Sequence, residues 1–440
     1  MSETRGPLPF ARRLRPMLAL CCLWFAAGAA PAAEPEDTLS LTLAEAIETA
    51  LRLSPAVVQA GATKTSGVTA LAGGINDLLP NLSGSVSYGR DEAAPDSARN
   101  SWGANLSVSQ VVFSPKAFAG IVSSALRYSY NSTSARDQQA KLIYDVTTDY
   151  LSLVKNHKLR GVAEAALARA RKQLELVREK RRLGMVSQVD LLRAEVQESQ
   201  ARLGLLEADR GLAVAAENFK ATEGLDREVV VVPAESLSAP EEYDIGDPDS
   251  LIREIERTNP GVRMAAKAKT IAGVNKAAAI GSILPSVNLY WNKGYSGSSL
   301  PSGFGEWWDQ SQQSYGIRAN LPLLDLKSYV LDAVDAANDK RRADASARAA
   351  TLSIRATAAD AVIGYRQARE QYDVSLANLE LNRRLLELAD EQLKLGAISM
   401  VDYLDAEASL VQAQSSYLSA LSDTYIQAAR ITYLRGRTGE

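Results

Sequence analysis

Two short stretches of the chain are nearly the same, although about two hundred residues lie between them. "LGMVSQVDLLRAE" occupies 183–195, and "LGAISMVDYLDAE" occupies 395–407. In each stretch a glycine that can end one helix is followed by a serine that can cap the next. Each stretch is therefore predicted to be the hinge of a helical hairpin. The predicted C-caps and N-caps are Gly184, Gly396, Ser187 and Ser399.

The repeat extends well beyond these hinges. "RLSPAVVQAGAT" around Pro55 corresponds to "RTNPGVRMAAKA" around Pro260, and "LLPNLSGSVSYG" corresponds to "ILPSVNLYWNKG". Because the order is the same in both halves, the chain is predicted to be a duplication. Each half should contain a helix, two strands and a long helical hairpin. The predicted units are a leader at 1–33, a first repeat at 34–224, a linker at 225–247 and a second repeat at 248–440.

The strands are recognised by a period of two. In "NLSGSVSY" Leu82, Val86 and Tyr88 alternate with serines, and the second repeat shows the same pattern. Strands of about ten residues have the length that crosses a bilayer. Half-buried strands of water-soluble proteins alternate in the same way, so the alternation by itself leaves both readings open. The strands are predicted at about 81–89, 102–113, 286–294 and 314–324.

The helices are exceptionally long. From Pro115 to about Arg182, and from Leu326 to about Lys394, the chain has no proline and little glycine. At a rise of about 1.5 Å per residue, each such helix approaches 100 Å. With the returning helices they form coiled-coil hairpins at about 116–223 and 327–436. Apolar steps of three and four predict their seams. The seam residues are Leu167, Ala170, Leu174 and Val177 against Val189, Leu192, Val196, Ser199, Leu203 and Leu206, then Leu381, Leu385, Leu388 and Leu395 against Val401, Leu404, Ala408, Val411, Ser415 and Leu418.

The first 33 residues differ from the rest. Four arginines precede a short apolar run that ends in small residues at Ala30-Pro31-Ala32, the pattern of a secretory signal peptide. A transmembrane anchor is the alternative, and the shortness of the run disfavours it. Both cysteines, Cys21 and Cys22, lie in this segment, and Leu20 before Cys21 disfavours acylation. An exported chain without cysteine after the leader is predicted.

The chain has few residues that could act in catalysis or bind a metal. The chain has one histidine, His157, within a long charged helix, and no cysteine, nucleophile motif, phosphate-binding loop or metal-ligand spacing after the leader. The net charge of −3 gives no basic surface for nucleic acid. The basic run at 168–182 is either a docking patch or a solvated helix face. No enzyme activity, cofactor or metal is expected.

These features together resemble the TolC-like outer-membrane factor family, also called the outer membrane efflux proteins. The resemblance rests on the leader, the opening "LTLAEAIETALRLSPAV", the two strand entries and the paired "LGxxSxVDxL" hinges, and it covers the chain from Leu43 to about Gly436. It implies a homotrimer in which each chain gives four strands to one twelve-stranded outer-membrane barrel. The helices would continue as a long α-helical barrel in the periplasm of a Gram-negative bacterium.

The function implied by the resemblance is an exit duct for a tripartite efflux pump or a type I secretion system. A periplasmic adaptor would dock at the hinges, and an inner-membrane pump would join through the adaptor and supply the energy. The alternative is a periplasmic coiled-coil scaffold or adaptor without membrane-spanning strands. The expected docking residues are Gly184, Ser187, Val189, Asp190, Leu192, Gly396, Ser399, Val401, Asp402 and Leu404.

The two hinges differ at one telling position, where Arg193 in the first faces Asp405 in the second. Asp402 and Asp405 are three residues apart and share a helix face. The resemblance implies that the second hairpin closes the duct, so three chains would bring these carboxylates together and raise some of their pKa values. A solvated helix start is the alternative. Leu393 and Ile398 stand where some relatives have a locking tyrosine and arginine, so Arg182 or Arg193 is the expected substitute.

Overall fold

The computed structural model describes residues 38–91, 99–226, 228–234, 238–240, 243–321 and 326–436. The predicted leader lies outside these residues. The first repeat and the linker contain β1 (Thr38–Leu41), α1 (Leu43–Leu53), α2 (Pro55–Asn76), β2 (Asn81–Asp91), β3 (Arg99–Phe113), α3 (Pro115–Arg182), α4 (Gln188–Glu223) and β4 (Val230–Pro233). The second repeat contains α5 (Pro248–Thr258), α6 (Pro260–Gly281), β5 (Ser286–Gly297), α7 (Phe304–Gln310), β6 (Gln312–Asn320), α8 (Leu326–Lys394) and α9 (Met400–Leu434).

The predicted order of helix, two strands and long hairpin occurs in both repeats. Three elements were not predicted. Strand β1 precedes the first predicted helix. The short helix α7 lies in the region expected to be a loop, and β4 lies in the expected linker, where it pairs in parallel with β1. Strand β6 starts two residues earlier than predicted and ends at Asn320, and 322–324 of the predicted strand lie outside the described residues.

Proline divides the first helical segment of each repeat, as the sequence indicates. Ser54 caps α2 and Asn259 caps α6, and in both helices the next residue is a proline at the first helical position. Proline fits there because it lacks only an N–H that would have no partner within the helix. Each segment is therefore two short helices joined by a cap rather than one bent helix.

The four long strands form one antiparallel sheet in the order β2-β3-β5-β6. Val86 is opposite Ala104, and Leu106 is opposite Lys293, so one face carries the apolar members of the alternating pattern. That face is largely uncovered, with Tyr315 74% exposed. Within the described residues, neither the outer edge of β2 nor that of β6 pairs with another strand.

Two apolar cores hold the helices together where the short segments meet the long ones. The first joins α1, α3 and α4 with the small β1–β4 sheet around Phe219 and Val146, which are fully buried. The second joins α5, α8 and α9 around Ile255 and Ile431. Burial of each such side chain contributes about 2 kcal/mol. These cores fix the bases of the two hairpins, whose tips lie at the far end.

The hairpin seams are only partly where the sequence predicted them. On α3, Leu167, Ala170, Leu174 and Val177 are buried as expected. The expected stripe on α4 is wrong, because its apolar residues from Val189 to Leu206 are between 52% and 59% exposed. The packing residues of α4 near the tip are Leu191 and Ala194 instead.

In the second hairpin the predicted seam on α8 is also wrong. Leu381, Leu385, Leu388 and Leu395 are exposed, whereas Leu379 packs against Leu410 and Ala413. On α9, Ala408 is exposed, and the other expected seam residues are half-buried. Each helix has apolar residues on two faces, and steps of three and four fit either face. The chain itself covers one face and leaves the other exposed.

Candidate functional site at the hairpin tips

Both helical hairpins end in the same glycine turn. Gly184 has a φ of 75° and Gly396 a φ of 74°, a backbone conformation that side chains other than glycine adopt at a cost. In the first turn Met185 N donates to Lys180 O at 2.8 Å, and in the second Ala397 N donates to Gln392 O at 2.8 Å. These are the closing bonds of a Schellman motif, in which the glycine follows the C-cap residue, Leu183 in the first turn.

The helix after each turn begins with a capping box. In the first hairpin Asp190 N donates to Ser187 Oγ at 3.1 Å, and Asp190 Oδ2 accepts from Ser187 N at 3.1 Å and from Ser187 Oγ at 2.6 Å. In the second hairpin Asp402 and Ser399 make the same three bonds at 3.3, 3.1 and 2.7 Å. The two serines are therefore N-caps, as predicted, and each aspartate is held within its own turn.

These hydrogen bonds lower the pKa of both aspartates. The largest cause is the bond from the serine hydroxyl, and the second is the bond from the serine backbone N–H. A bonded carboxylate favours its charged form. In the single chain the pKa of Asp402 therefore moves in the direction opposite to the rise expected from crowded carboxylates in three copies.

Apolar residues of the two tips line one groove. Val189, Leu192 and Val196 of α4 lie opposite Val401 and Leu404 of α9 around a cavity of about 400 Å³. Leu192 remains 52% exposed. Four of the ten expected docking residues thus share one open apolar surface, to which both repeats contribute. We call this surface the tip groove.

The four expected gate residues lie in three places. Arg193 and Asp405, the position at which the hinges differ, both line the tip groove. Asp402 is bonded to Ser399 as described above. Arg182 forms an exposed ion pair with Glu179 of its own helix, with Nη2 and Oε2 2.8 Å apart.

The two positions at which the resemblance implied a lock carry apolar side chains that pack within the chain. Leu393 and Ile398 pack beside Ala389 and Tyr403 in an apolar cluster of the second hairpin. Neither side chain can donate or accept a hydrogen bond. Burial raises the pKa of Tyr403 to about 12, so its phenol stays neutral at physiological pH.

A buried ion pair near the tips was not foreseen from the sequence. Arg169 of α3 and Glu407 of α9 face each other with Nε and Oε1 3.1 Å apart, and Glu407 is only 1% exposed. Burial raises the pKa of Glu407, and the hydrogen bond from Arg169 partly opposes that rise. The other oxygen, Oε2, is buried without a protein partner. The pair joins the two hairpins of one chain.

An alignment of the two repeats gives an indirect sign of this pair. Glu195 is the first-repeat counterpart of Glu407, and it pairs with Arg178 on the partner arm of its own hairpin, Nη2 to Oε1 3.4 Å. The counterpart of Arg178 in the second repeat is Asp390, which cannot pair with Glu407. The loss of a local cation indicates that Glu407 needs a partner from elsewhere, although it does not identify Arg169.

The described residues contain no metal-binding cluster and no membrane-spanning helix. No group of three or more histidine, cysteine, aspartate and glutamate side chains is placed to hold a metal ion. His157 is exposed on α3. No helix in the described ranges is long and apolar enough to cross a membrane.

The fold is that of the outer-membrane factors, two repeats of paired strands and very long hairpins. The crystal structure of the Campylobacter jejuni CmeC outer membrane channel matches with a TM-score of 0.79 at 18% identity, covering 92% of this chain and 90% of that one. Residues 251–437 match the family model described as "Outer membrane efflux protein". The second repeat therefore matches the outer membrane efflux protein family, and the whole chain shares the fold of that crystal structure.

Two relatives match by sequence. Protein CyaE of Bordetella pertussis is 25% identical over 415 residues, which are 91% of this chain and 84% of that protein. Nodulation protein T of Rhizobium leguminosarum bv. trifolii is 24% identical over 295 residues, which are 64% of this chain and 61% of that protein. The chain thus matches only about three fifths of the length of the latter. The matched family model is one of efflux proteins of the outer membrane, and the matched crystal structure is that of an outer-membrane channel.

Proposed function

We propose that three copies of the chain form one exit duct whose strands close a barrel in the outer membrane. The observation that supports this most directly is the four-stranded sheet, which has an exposed apolar face and two edges unpaired within the described residues. In a bilayer an open edge leaves backbone groups without partners, so the sheet must close on further strands. Pairing β6 of one copy with β2 of the next closes a barrel of twelve strands.

The exposed apolar stripes of the long helices support the same assembly. Leu203 and Leu206 on α4, and Leu381 and Leu388 on α8, are all more than half exposed. Within the chain α3 packs against both α4 and α9, so α4 and α8 form the outer helices of the protomer. Packing α4 of one copy against α8 of the next would cover both stripes and continue the barrel into the periplasm.

The tip groove is the proposed docking surface for a periplasmic adaptor. Each chain presents one such groove, which is apolar, open and built from both repeats, so three chains present three grooves and six nearly equivalent hinge turns to a ring of partners. The identical caps give both tips the same backbone shape. Gly184, Ser187 and Asp190, with Gly396, Ser399 and Asp402, act in docking by holding the turns in shape.

The gate is proposed to use Asp405 and Arg193. Both line the tip groove, and Asp405 is exposed without a capping role. Asp402 contributes negative charge from the cap that it stabilises. Arg182, paired with Glu179, takes no part in holding the gate in this proposal.

Membrane association and assembly can be tested together. Cys21 and Cys22 are replaced by serine, and single cysteines are placed along β2 and β6 in pairs. We expect the protein in the outer-membrane fraction as a heat-sensitive trimer, with disulfide-linked species up to trimers for pairs in register. Cysteine pairs on α5 and β6 are the matched control. A periplasmic scaffold, the alternative, would be recovered in the soluble fraction without these species.

The gate can be tested in planar bilayers. Replacing Asp405 by alanine should change single-channel conductance and reduce cation selectivity, because fixed carboxylates at a constriction attract cations. Asp249→Ala, at an exposed position near the start of α5, is the matched control. Unchanged conductance and selectivity in the Asp405 variant would remove it from the gate and leave the trimer proposal intact.

A further inference from the structure

The short helix α7 folds back over the apolar face of the sheet. It lies between β5 and β6 at the end of the sheet opposite the long helices. Trp307 Nε1 donates to Ala104 O on β3 at 3.0 Å. Trp308 covers Lys293 of β5, whose Nζ is 3.7 Å from the ring centre. These two contacts hold the helix against the sheet.

The register identifies the face that α7 covers. Lys293 is opposite Leu106, and Ala104 is opposite Val86, so these residues share the face that carries Tyr315 and the other exposed apolar side chains of the strands. The opposite face is polar, as shown by the bond between Ser83 Oγ and Ser107 Oγ at 2.6 Å. The helix therefore lies on the apolar side of the strands.

A cleft of about 360 Å³ remains between α7 and the sheet. Its walls include Val86, Leu106, Leu300, Phe304 and Trp307, and almost all of the lining surface is apolar. The volume is in the range of small-ligand sites. The cleft is open to its surroundings, and Val86 of its lining, on the apolar face of β2, is 67% exposed.

The aromatic side chains of α7 are suited to a membrane interface. Phe304, Trp307 and Trp308 follow a helical spacing of three and four, and Phe304 is 71% exposed. Glu306 and Asp309 fall at the other positions of the helix. Tryptophan is enriched where the hydrocarbon of a bilayer meets the headgroups, and helices with one apolar side and one polar or charged side lie in that plane.

We infer that α7 is an interfacial helix and that the cleft beneath it holds an acyl chain of a bilayer lipid. The occupant follows from the lining, which offers an alkyl chain contact along both walls, and from the continuity of the cleft with the apolar strand face. The inference rests on the proposed function, in which that face meets lipid. It adds a lipid site to the outward end of the sheet.

Fluorescence quenching by brominated phosphatidylcholine tests this inference in vesicles containing the full chain. The chain has five tryptophans, at positions 24, 102, 291, 307 and 308. Variants retain one of them, and the others are changed to phenylalanine. We expect bromine on the acyl chains to quench roughly half of the Trp307 emission, and aqueous iodide to quench little of it. Quenching by iodide and not by bromolipid would overturn the inference.

Trp291 serves as the internal reference, because it lies on the same apolar face beyond α7. If bromolipid quenches Trp291 but not Trp307, the strand face meets lipid and the inference about α7 fails. If neither is quenched, the proposed membrane insertion itself fails.

A side chain that fills the cleft distinguishes an acyl chain bound in the cleft from lipid that only lies near Trp307. Ala104→Phe places a ring in the cleft and should lower Trp307 quenching about twofold without affecting Trp291. Ala319→Phe adds the same ring to the same face of β6, outside the cleft, and should change neither. Equal Trp307 quenching in both variants would show that no chain occupies the cleft.

Discussion

The two hairpins share their turns but differ in how their arms are joined. Glu195 of the first hairpin pairs with Arg178 on the adjacent arm, and both side chains are exposed. Glu407, its counterpart, is buried and pairs with Arg169 of the other hairpin. The same glutamate of the repeated stretch therefore forms an ion pair within the first hairpin, whereas in the second hairpin it forms an ion pair that joins the two hairpins. The turns are alike in the two repeats, whereas the residues at 178/390 and 169/381 differ, and Glu407 of the second hairpin pairs with Arg169 of the first.

The largest effect should come from removing Glu407. Glu407→Ala leaves the Arg169 guanidinium at a buried boundary without its partner, and breaking such a pair costs about 3 kcal/mol, the low end of the usual range because Arg169 is about one third exposed. Chemical unfolding followed by circular dichroism measures the loss. Glu195→Ala, the matched control, should cost less than about 1 kcal/mol, since its pair is exposed. Equal losses would mean that the two pairs are energetically alike.

A second difference between the repeats predicts a dependence on pH. Glu223 at the end of α4 is fully buried with both carboxyl oxygens lacking a partner, and burial raises its pKa to about 7. Its counterpart, Arg435, is instead paired with Glu254, Nη2 to Oε2 3.4 Å.

Because the folded pKa of Glu223 lies above the unfolded value, its contribution is present at pH 4 and is lost as pH rises through about 7. We expect a fall of roughly 2 kcal/mol in the free energy of unfolding between pH 5 and pH 9. Glu223→Gln should remove most of that fall. A stability curve that is equally steep in wild type and variant would contradict the assignment. Glu207→Gln controls for the loss of an exposed acid on the same helix.

The cross-hairpin pair should be partly replaceable by a local one. Arg169→Leu removes the long-range cation, as at the counterpart Leu381, and destabilises the chain. Adding Asp390→Arg supplies the cation that the first hairpin has at Arg178, and should restore about 1 kcal/mol. A double-mutant cycle on unfolding free energies measures this coupling. Asp390→Arg in the wild-type background is the control, and an equal gain there would show that no pairing with Glu407 is involved.

The smallest effect should be the same in both hairpins. Ser187→Ala and Ser399→Ala each remove the serine hydroxyl from a capping box of matching geometry, at a cost of about 1 kcal/mol. Unfolding measurements on the two single variants should agree within error. A clear difference would show that one turn is supported by contacts that the other lacks. Ser419→Ala, in the middle of α9, provides a control for loss of a hydroxyl within a helix.

Interactions between residues close together in the sequence could be predicted, whereas interactions between distant residues could not. The caps at Ser187 and Ser399 depend on residues three positions away, so the hinge phrase contains the whole interaction. The pair Arg169–Glu407 joins residues 238 positions apart, and the alignment of the repeats shows only that Glu407 has lost its local cation.

The seam on α4 could not be predicted because the helix has two apolar faces, and their spacing does not tell which one the chain covers. The helix α7 was missed for another reason. Its seven residues are too few for a period to show, and its position depends on the sheet beneath it. Patterns among neighbouring residues therefore predicted the architecture and the turns at the tips. The contacts between the two hairpins could be seen only in the structure.

The parallel pairing of β1 with β4 has a consequence for the order of folding. Leu41 and Val231 of these strands belong to the first core, so that core is complete once the chain has reached β4. The second core needs Ile431 and Leu434, near the end of α9. During synthesis and export the first hairpin can thus acquire its base before the second has all its residues. We expect the earlier hairpin to present Arg169 as a ready partner for Glu407, so that the repeat that folds first guides the packing of the one that follows.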